Sequence, residues 1–374
     1  MYEYINDHIV NCIRGRNVGI FGTGQKAYIA ESILETLGIK EYVYFDNDRK
    51  KQNFQNNIMN PVQISREYFI FISTIHFESI KIQLNSLGLN EMDDYIWALD
   101  LDYYDAMLRY QNERKVPDLT FADLQDLENL LNRYIEVREI DWFSEKEFQS
   151  FENKLGFEKI YNKSRNQRYR RKIMEYYCVT KLLNLENWNR KDIYVDIGAA
   201  DSPFAKWLRE NKEMNAFAVD LSEGVYHELP YYIKEDATNM HFQNSEVAGI
   251  SMQSAFEMFA GSADIRFVKE ASRVLKKGGR VVIAPLYLHK YYLSTVSPNY
   301  YQRGMADEKS MECIRTDCRG NLSFARFYNV DALNERILKP AAEYGLTALI
   351  YALPQNLVEK DQFVYLKFIL VLEK

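Results

Sequence analysis

The sequence predicts an α/β protein with two Rossmann-like sheets, one at each end of the chain, joined by a helical segment. Two observations support this prediction. Short apolar runs that end in an acid or a glycine turn alternate with helical patterns near the N-terminus, and the same alternation returns after residue 190. Strands that alternate with helices form parallel sheets. A chain of 374 residues with 47% hydrophobic residues is also long enough for about two cores.

The first predicted unit, a small Rossmann-like domain, spans residues 1–100. An apolar run over 17–21 leads into a glycine turn, and a second run over 42–45 ends at Asp46. This spacing fits a dinucleotide fingerprint, with Gly22, Gly24 and Asp46 as a second nucleotide site. The same residues also fit a tight strand-to-helix turn that binds no ligand.

Residues 101–180 are predicted to be a helical connector or lid. Leucines recur at helical spacing over 124–131, which indicates an amphipathic helix. The stretch 163–172 is the most basic part of this segment. It is consistent with a solvated helix face or connector, with phosphate contacts to a nucleotide-linked or phosphorylated substrate, or with contacts to nucleic acid.

The third predicted unit spans residues 181–374 and carries the most informative motifs. Its first strand ends at Asp196 and Gly198, and its second ends at Asp220 about twenty residues later. An acid at the end of the second strand can accept hydrogen bonds from both hydroxyls of a ribose. A third strand end carries Asp236. These acids favour a nucleoside site, and Ser202-Pro203 suits the start of the helix behind the turn.

The ordered motifs of residues 170–374 resemble those of the class I S-adenosylmethionine-dependent methyltransferases. Five blocks carry the resemblance, at 194–201, 217–220, 232–237, 249–259 and 264–283. The resemblance implies a seven-stranded sheet whose last strand, about 363–372, runs antiparallel beside 346–353. It also implies that S-adenosyl-L-methionine is the cofactor and that a methyl group moves to a small acceptor.

The resemblance assigns cofactor roles to individual residues. Asp196 would order the turn near the amino-acid part, Asp220 would hold the ribose, and Asp236 would accept from the adenine amino group. Met252 and Gln253 would line the sulfur site. The full implied set is Asp196, Gly198, Ala199, Asp201, Asp220, Leu221, Asp236, Ala237, Met252 and Gln253.

One departure and one alternative bear on that assignment. Family members often have Gly-x-Gly where this chain has Gly198-Ala199-Ala200, which changes how the turn closes. A strand and glycine turn of this kind could also bind NAD. However, Asp201 directly after the turn would repel a diphosphate, which favours the methyl donor.

The long connection over 286–344 is predicted to build the acceptor pocket. His289 is the first candidate base, because histidine titrates near neutral pH, and His241 is the second. Both could equally be packing or surface residues. The predicted substrate contacts are Tyr287, Tyr291, Arg303 and Arg326. No His/Asp/Glu set indicates a metal.

The acceptor class rests on the N-terminal unit. Its motifs at 20–24, 45–48 and 60–62 resemble the small Rossmann-like domains of bacterial surface-polysaccharide and sugar-modifying enzymes. The preferred acceptor is therefore a sugar or a nucleotide sugar. The alternatives are a nucleic-acid methyltransferase and a non-catalytic scaffold that binds the cofactor or a nucleotide.

Composition restricts the partners and the compartment. The net charge of −6 and the pI of about 5.6 argue against a large nucleic-acid substrate. No apolar run approaches the roughly 20 residues of a membrane span, and the N-terminus does not read as a secretory signal. The four cysteines are expected to be reduced thiols. We therefore predict a cytoplasmic protein with no membrane span, of unknown oligomeric state.

Overall fold

The computed structural model describes residues 2–54, 58–111, 113, 115–161, 168–199, 201–300, 306–315 and 322–374. The chain divides into two compact units. The first comprises the described residues up to 113 and the short turn Pro298–Tyr300. The second holds the remainder.

The first unit is a parallel five-stranded sheet with helical crossovers. Its strands have the order β3-β2-β1-β4-β5, and all four pairings are parallel. The core strands are apolar over nearly their whole length because helices cover both faces of such a sheet. The strands are β1 Asn17–Phe21, β2 Val43–Phe45, β3 Ile58–Met59, β4 Tyr68–Ile72 and β5 Tyr95–Trp97. The helices are α1 Glu3–Ile13, α2 Ala27–Thr36, α3 Arg49–Phe54, α4 Phe77–Ser86 and α5 Leu101–Arg109.

The second unit is built on an eight-stranded sheet of order β6-β15-β16-β11-β10-β7-β8-β9. The strands are β6 Val137–Glu139, β7 Ile193–Ile197, β8 Asn215–Asp220, β9 Tyr232–Lys234, β10 Val247–Gln253, β11 Leu275–Ala284, β15 Thr347–Ala352 and β16 Phe368–Glu373. The helices are α6 Phe121–Leu131, α7 Glu145–Leu155, α8 Arg168–Leu182, α9 Phe204–Lys212, α10 Ala263–Val274, α11 Val330–Leu333, α12 Lys339–Glu343 and α13 Gln355–Asp361.

The strand count differs from the expected seven. Strand β6 pairs in parallel with β15 and adds an eighth strand, and it comes from the segment predicted to be helical. It is only three residues long, too short for its alternation to show in the sequence. The predicted antiparallel end of the sheet is present, because β16 runs antiparallel to both β11 and β15.

The long connection between β11 and β15 forms a small sheet of its own. Strand β12, Leu293–Val296, pairs in parallel with β13, Met311–Ile314, and antiparallel with β14, Ala325–Phe327.

Arg326 anchors this insertion to the main domain through a buried ion network. Its guanidinium is fully buried, with Nε 2.6 Å from Oδ2 of Asp307 and Nη1 2.9 Å from Oδ2 of Asp264. It also donates to the backbone oxygens of Phe259 at 2.6 Å and Gly261 at 2.8 Å. The substrate role predicted for Arg326 is therefore wrong, because its nitrogens are already bonded within the protein.

None of the helices in the described part of the chain is long and apolar enough to cross a membrane. In the same residues, no group of three or more His, Cys, Asp or Glu side chains is placed to hold a metal ion.

Replacing Arg326 should destabilise the second unit strongly. In Arg326→Met, the carboxylates of Asp307 and Asp264 lose a buried counter-charge, and we expect a loss of about 3–5 kcal/mol in the free energy of unfolding. The exposed pair of Arg138 with Glu136 supplies the control, since Arg138→Met should leave the free energy of unfolding nearly unchanged. Urea denaturation measures both losses, and equal losses would contradict the structural role.

Candidate functional site

The candidate site lies where the strand order of the eight-stranded sheet reverses. Strand β7 is flanked by β10 on one side and β8 on the other, so the crossovers leave it in opposite directions. Asp196 is in register with Ser251 of β10 and with Ala218 of β8. Ligands of open α/β sheets bind in the crevice at such a point, outside the carboxyl ends of the strands. The register therefore gathers the ends of all three strands at one crevice.

Asp196 is a buried carboxylic acid held by hydroxyl groups. Ser202 Oγ donates to its Oδ2 at 2.9 Å, and Ser251 Oγ lies 3.4 Å from its Oδ1. Burial raises the pKa of Asp196 to about 7, while the two serines and the nearby charge of Lys172 act in the opposite direction. The side chain can thus exist in either protonation state near neutral pH.

A chain of hydroxyl groups extends from Asp196 into the helical layer. The hydroxyl of Tyr176 lies 3.0 Å from Ser202 Oγ, and the hydroxyl of Tyr161 lies 2.6 Å from that of Tyr176. Sequence reasoning missed both tyrosines. They lie in the segment predicted to be a connector, and no local pattern relates them to Asp196.

The start of α9 differs slightly from the prediction. Ser202 Oγ accepts from the backbone N–H of Phe204 at 3.3 Å, but Pro203, and not Ser202, occupies the N-cap position. Ser202 therefore links the residue at the start of the helix to Asp196.

Gly198 is required by its backbone conformation and by a close contact. Its φ of +71° lies in the left-handed region. A Cβ added there would overlap the Cβ of Ala255, which follows β10. The space that a side chain at this position would need is therefore occupied by protein. Ala199 is buried beside it, and Ala200 lies outside the described residues.

Asp220 borders a cavity of about 240 Å³ on the β8 side of the crevice. One of its oxygens accepts from the backbone N–H of Ser222 at 2.8 Å and from its hydroxyl at 2.7 Å. The cavity is lined by Ala199, Ala218, Asp220, Ser222, Glu223, Gly224, His227, Tyr232, Ile233 and Lys234. A carboxylate beside the apolar and aromatic part of this lining suits a nucleoside, with the ribose hydroxyls on the acid and the base against Ala218, Tyr232 and Ile233.

The remaining predicted cofactor residues differ in burial and in hydrogen bonding. Asp201 accepts from the backbone N–H of Val225 at 2.9 Å and so holds the loop after β8, while Leu221 in that loop is exposed. Asp236 accepts from the N–H of Thr238 at 2.8 Å. Ala237, Met252 and Gln253 are buried.

Both predicted bases are hydrogen-bonded within the protein. His289 is fully buried: its Nδ1 accepts from the backbone N–H of Tyr291 at 3.1 Å, and its Nε2 lies 3.2 Å from the oxygen of Pro117. Burial lowers the pKa of His289, so the ring is neutral with both nitrogens bonded. His241 is half-exposed and lies 2.9 Å from a carboxylate oxygen of Glu235. The structure gives His289 a structural role.

The residues predicted to contact the substrate have different surroundings in the structure. Tyr287 follows β11 and hydrogen-bonds Ser254 at the end of β10, so it lies beside the crevice. Tyr291 is exposed, with the ammonium of Lys290 over its ring. Arg303 lies outside the described residues, and Arg326 belongs to the buried ion network.

The first unit has a cavity of about 510 Å³ at the carboxyl ends of β1, β2 and β4. It is lined by Gly22, Gly24, Lys26, Lys51, Ser73 and His76, among others. Asp46 also borders it, but the Oδ2 of Asp46 already accepts from Thr23 N–H at 3.1 Å and from Lys51 at 3.0 Å. Burial would raise the pKa of Asp46, yet these hydrogen bonds hold it at about 2.

A family model described as a methyltransferase domain matches residues 195–283. No curated protein matches the chain. Among solved structures, the 1,6-didemethyltoxoflavin-N1-methyltransferase of Burkholderia thailandensis, bound to S-adenosylhomocysteine, is 12% identical with a TM-score of 0.37, over 63% of this chain and 92% of that one. A methyltransferase of Methanosarcina mazei is 15% identical with a TM-score of 0.34, over 51% and 96%. Residues 195–283 are thus similar to a methyltransferase domain.

Gly198→Ala should destabilise the protein more than a glycine substitution with the same φ in open space. Alanine in the left-handed region costs about 1–2 kcal/mol, and the overlap with Ala255 adds about 1–3 kcal/mol. Gly345 has a φ of +76° with nothing near its added Cβ, so Gly345→Ala isolates the backbone cost. Urea denaturation of both variants measures the difference, and equal losses would show that Ala255 moves aside.

Asp196→Asn should reduce the pH dependence of stability. Because the pKa is about 7 in the folded protein and 3.8 as the ordinary value, folding retains a proton that the unfolded chain releases. Wild-type stability should therefore fall as pH rises from about 4 to about 7, by at most roughly 4 kcal/mol from this group. The Asn variant should lose that part of the slope.

Asp192, at the other end of β7, supplies a control of opposite sign. Partial burial raises its pKa, but the hydrogen bonds from Lys276 and from the backbone of Asn189, together with the charge of Lys276, leave the pKa lowered. Its contribution to stability is lost as pH falls, so Asp192→Asn should flatten only the acid side. The prediction for Asp196 fails if denaturation curves of the Asn variant keep the wild-type slope between pH 4 and 7.

Proposed function

We propose that this protein transfers the methyl group of S-adenosylmethionine to a small polar acceptor, a sugar or a nucleotide-linked sugar of bacterial surface-polysaccharide synthesis. One observation carries the proposal. The methyltransferase domain at 195–283 has its buried Asp196 and its cavity-lining Asp220 at neighbouring strand ends, at the reversal of strand order.

The residues at this crevice suit the ribose, the adenine ring and the amino-acid part of the donor. Asp220 supplies a carboxylate for the ribose hydroxyls, and the wall formed by Ala218, Tyr232 and Ile233 suits the adenine ring. Asp196 lies at the end of the central strand, where the amino-acid part would reach. The bound donor supplies a methyl group that is already activated by its positive sulfur. The protein then has to hold an acceptor in line with that methyl group and exclude water.

The acceptor class is supported by the first unit. Its motifs resemble those of sugar-modifying enzymes, and its cavity presents Lys26 beside the turn of Gly22 and Gly24. A lysine beside a turn that begins a helix suits a phosphate group. Since the carboxylate of Asp46 is engaged by Thr23 and Lys51, we propose that this cavity binds the phosphate group of a nucleotide and not a ribose.

The donor proposal is tested by Asp220→Asn. Loss of the carboxylate should weaken S-adenosylmethionine binding about 10-fold or more, because a hydrogen bond to a charged group contributes about 1.5–3 kcal/mol. Isothermal titration calorimetry measures the dissociation constants, with Asp192→Asn as a control acid at the opposite end of the sheet. Absence of binding by the folded wild-type protein would overturn the proposed activity.

The acceptor is tested by incubating the protein with the donor and a panel of nucleotide sugars. Mass spectrometry should show a product heavier by one methyl group. A panel in which no sugar gains mass, from a protein that binds the donor, would restrict the proposal to methyl transfer and exclude this acceptor class.

A further inference from the structure

The turn that follows β10 contains a buried carboxylate whose second oxygen has no hydrogen-bond partner. Glu257 is 8% exposed, and its Oε2 finds no partner among the described residues. A buried polar atom without a partner costs free energy, so native structures seldom keep one unless a ligand or water completes it. The turn therefore requires a further polar group next to Glu257.

The charged groups around Glu257 come from α8 and from the residue after β11. Helix α8 supplies Arg171, Lys172 and Glu175, and the end of β11 leads to Tyr287. Glu175 is well satisfied: Lys172 Nζ lies 2.8 Å from its Oε2, and Ser254 Oγ lies 3.0 Å from its Oε1. Glu257 is thus the one carboxylate of this described cluster with an uncompensated oxygen.

The contacts of Lys172 and Ala255 show on which side of the crevice Glu257 lies. Lys172 donates to the backbone oxygen of Gln253 at 2.9 Å, at the end of β10. Ala255, two residues before Glu257, packs against Gly198 of the turn after β7. Asp220 and its cavity lie on the β8 side of β7, and Glu257 therefore lies on the opposite, β10 side.

The backbone of this turn is strained, as is common where a side chain must be aimed at a ligand. Ser254 has a φ of +53°, a left-handed conformation that a residue with a side chain seldom adopts. Its hydroxyl is tied to Glu175, which fixes the direction in which the chain leaves β10. Such strain persists only where the surroundings impose it, and it concentrates at functional sites.

From these contacts we propose that Glu257 is the general base that receives the proton of the acceptor's hydroxyl group. This inference rests on the proposed methyl transfer. The acceptor oxygen forms a bond to the methyl carbon and loses its proton to the Glu257 carboxylate. The bond from sulfur to the methyl carbon breaks, and its electron pair stays on the sulfur, so the sulfonium becomes a neutral thioether.

The protonation behaviour of Glu257 is suited to this role. Burial raises its pKa to about 7, a hydrogen bond from its own backbone and the charges of Lys172 and Arg171 lower it, and Glu175 raises it. A base with a pKa near the working pH is present as a carboxylate and still accepts a proton readily.

The inference can be tested without knowing the acceptor. Protein labelled with ¹³C at the glutamate side-chain carboxyl carbons is titrated by NMR in two complexes, one with S-adenosylmethionine and one with S-adenosylhomocysteine. The first ligand has a positive sulfur and the second a neutral one. If Glu257 faces the transferred methyl group, its pKa should be lower in the first complex by about one unit or more.

Assignment and controls use three variants. Glu257→Gln should remove the responding resonance, and Glu257→Asp should remove it as well while it keeps a carboxylate, which protects the assignment if the first variant folds poorly. Glu359→Gln, on the exposed part of α13, should leave the response unchanged.

The outcomes separate this inference from the proposed function. Calorimetry on the same samples first establishes that both ligands bind, and absence of binding overturns both proposals. Binding with an equal pKa in the two complexes overturns only the role of Glu257, because its carboxylate would then be completed by water away from the sulfur. A lower pKa with the charged ligand supports the assignment.

Discussion

The register of β7 between β10 and β8 is the constraint on which the rest of the candidate site depends. It aligns Asp196 with Ser251 and Ala218, so the ends of three strands meet at one crevice. A shift of one residue would turn Asp196 to the other face of the sheet, since side chains alternate along a strand. Gly198 can then turn the chain tightly against Ala255 and bring the turn after β10 to the same place.

The buried carboxylates of the second unit differ in how their charge and hydrogen bonds are compensated. Asp264 and Asp307 are neutralised by Arg326, which makes them structural. Asp196 is held by serine hydroxyls, which leave its charge uncompensated and its pKa raised. Glu257 keeps one oxygen without a partner among the described residues. The carboxylates that fix the insertion are thus fully paired, whereas those near the crevice are less so. This is expected if functional groups retain unsatisfied bonding capacity.

Local patterns predicted the elements that carry the site. The run ending at Asp196, the run ending at Asp220 and the helix and strand over 264–283 correspond to observed elements, because apolar runs bounded by turns contain their own signal. The predicted glycine turn is not separate from the strand, since Gly278 and Gly279 lie within β11. Strand β6 was missed because three residues hold too little pattern. The hydroxyl chain through Tyr176 and Tyr161 was missed because it depends on contacts between distant segments.

Sequence alone determined the fold class, the position of the crevice and the acids at its strand ends, because these follow from short-range order along the chain. Only the tertiary structure decided which polar side chains are available to a ligand. The ring of His289 hydrogen-bonds to the backbone of Pro117, which is distant in sequence. The guanidinium of Arg326 is paired with the carboxylates of Asp264 and Asp307. The residue type determines which hydrogen bonds and ion pairs a side chain can form. Packing determines whether those bonds are already formed within the protein. The same packing left Glu257 with one oxygen that has no partner among the described residues.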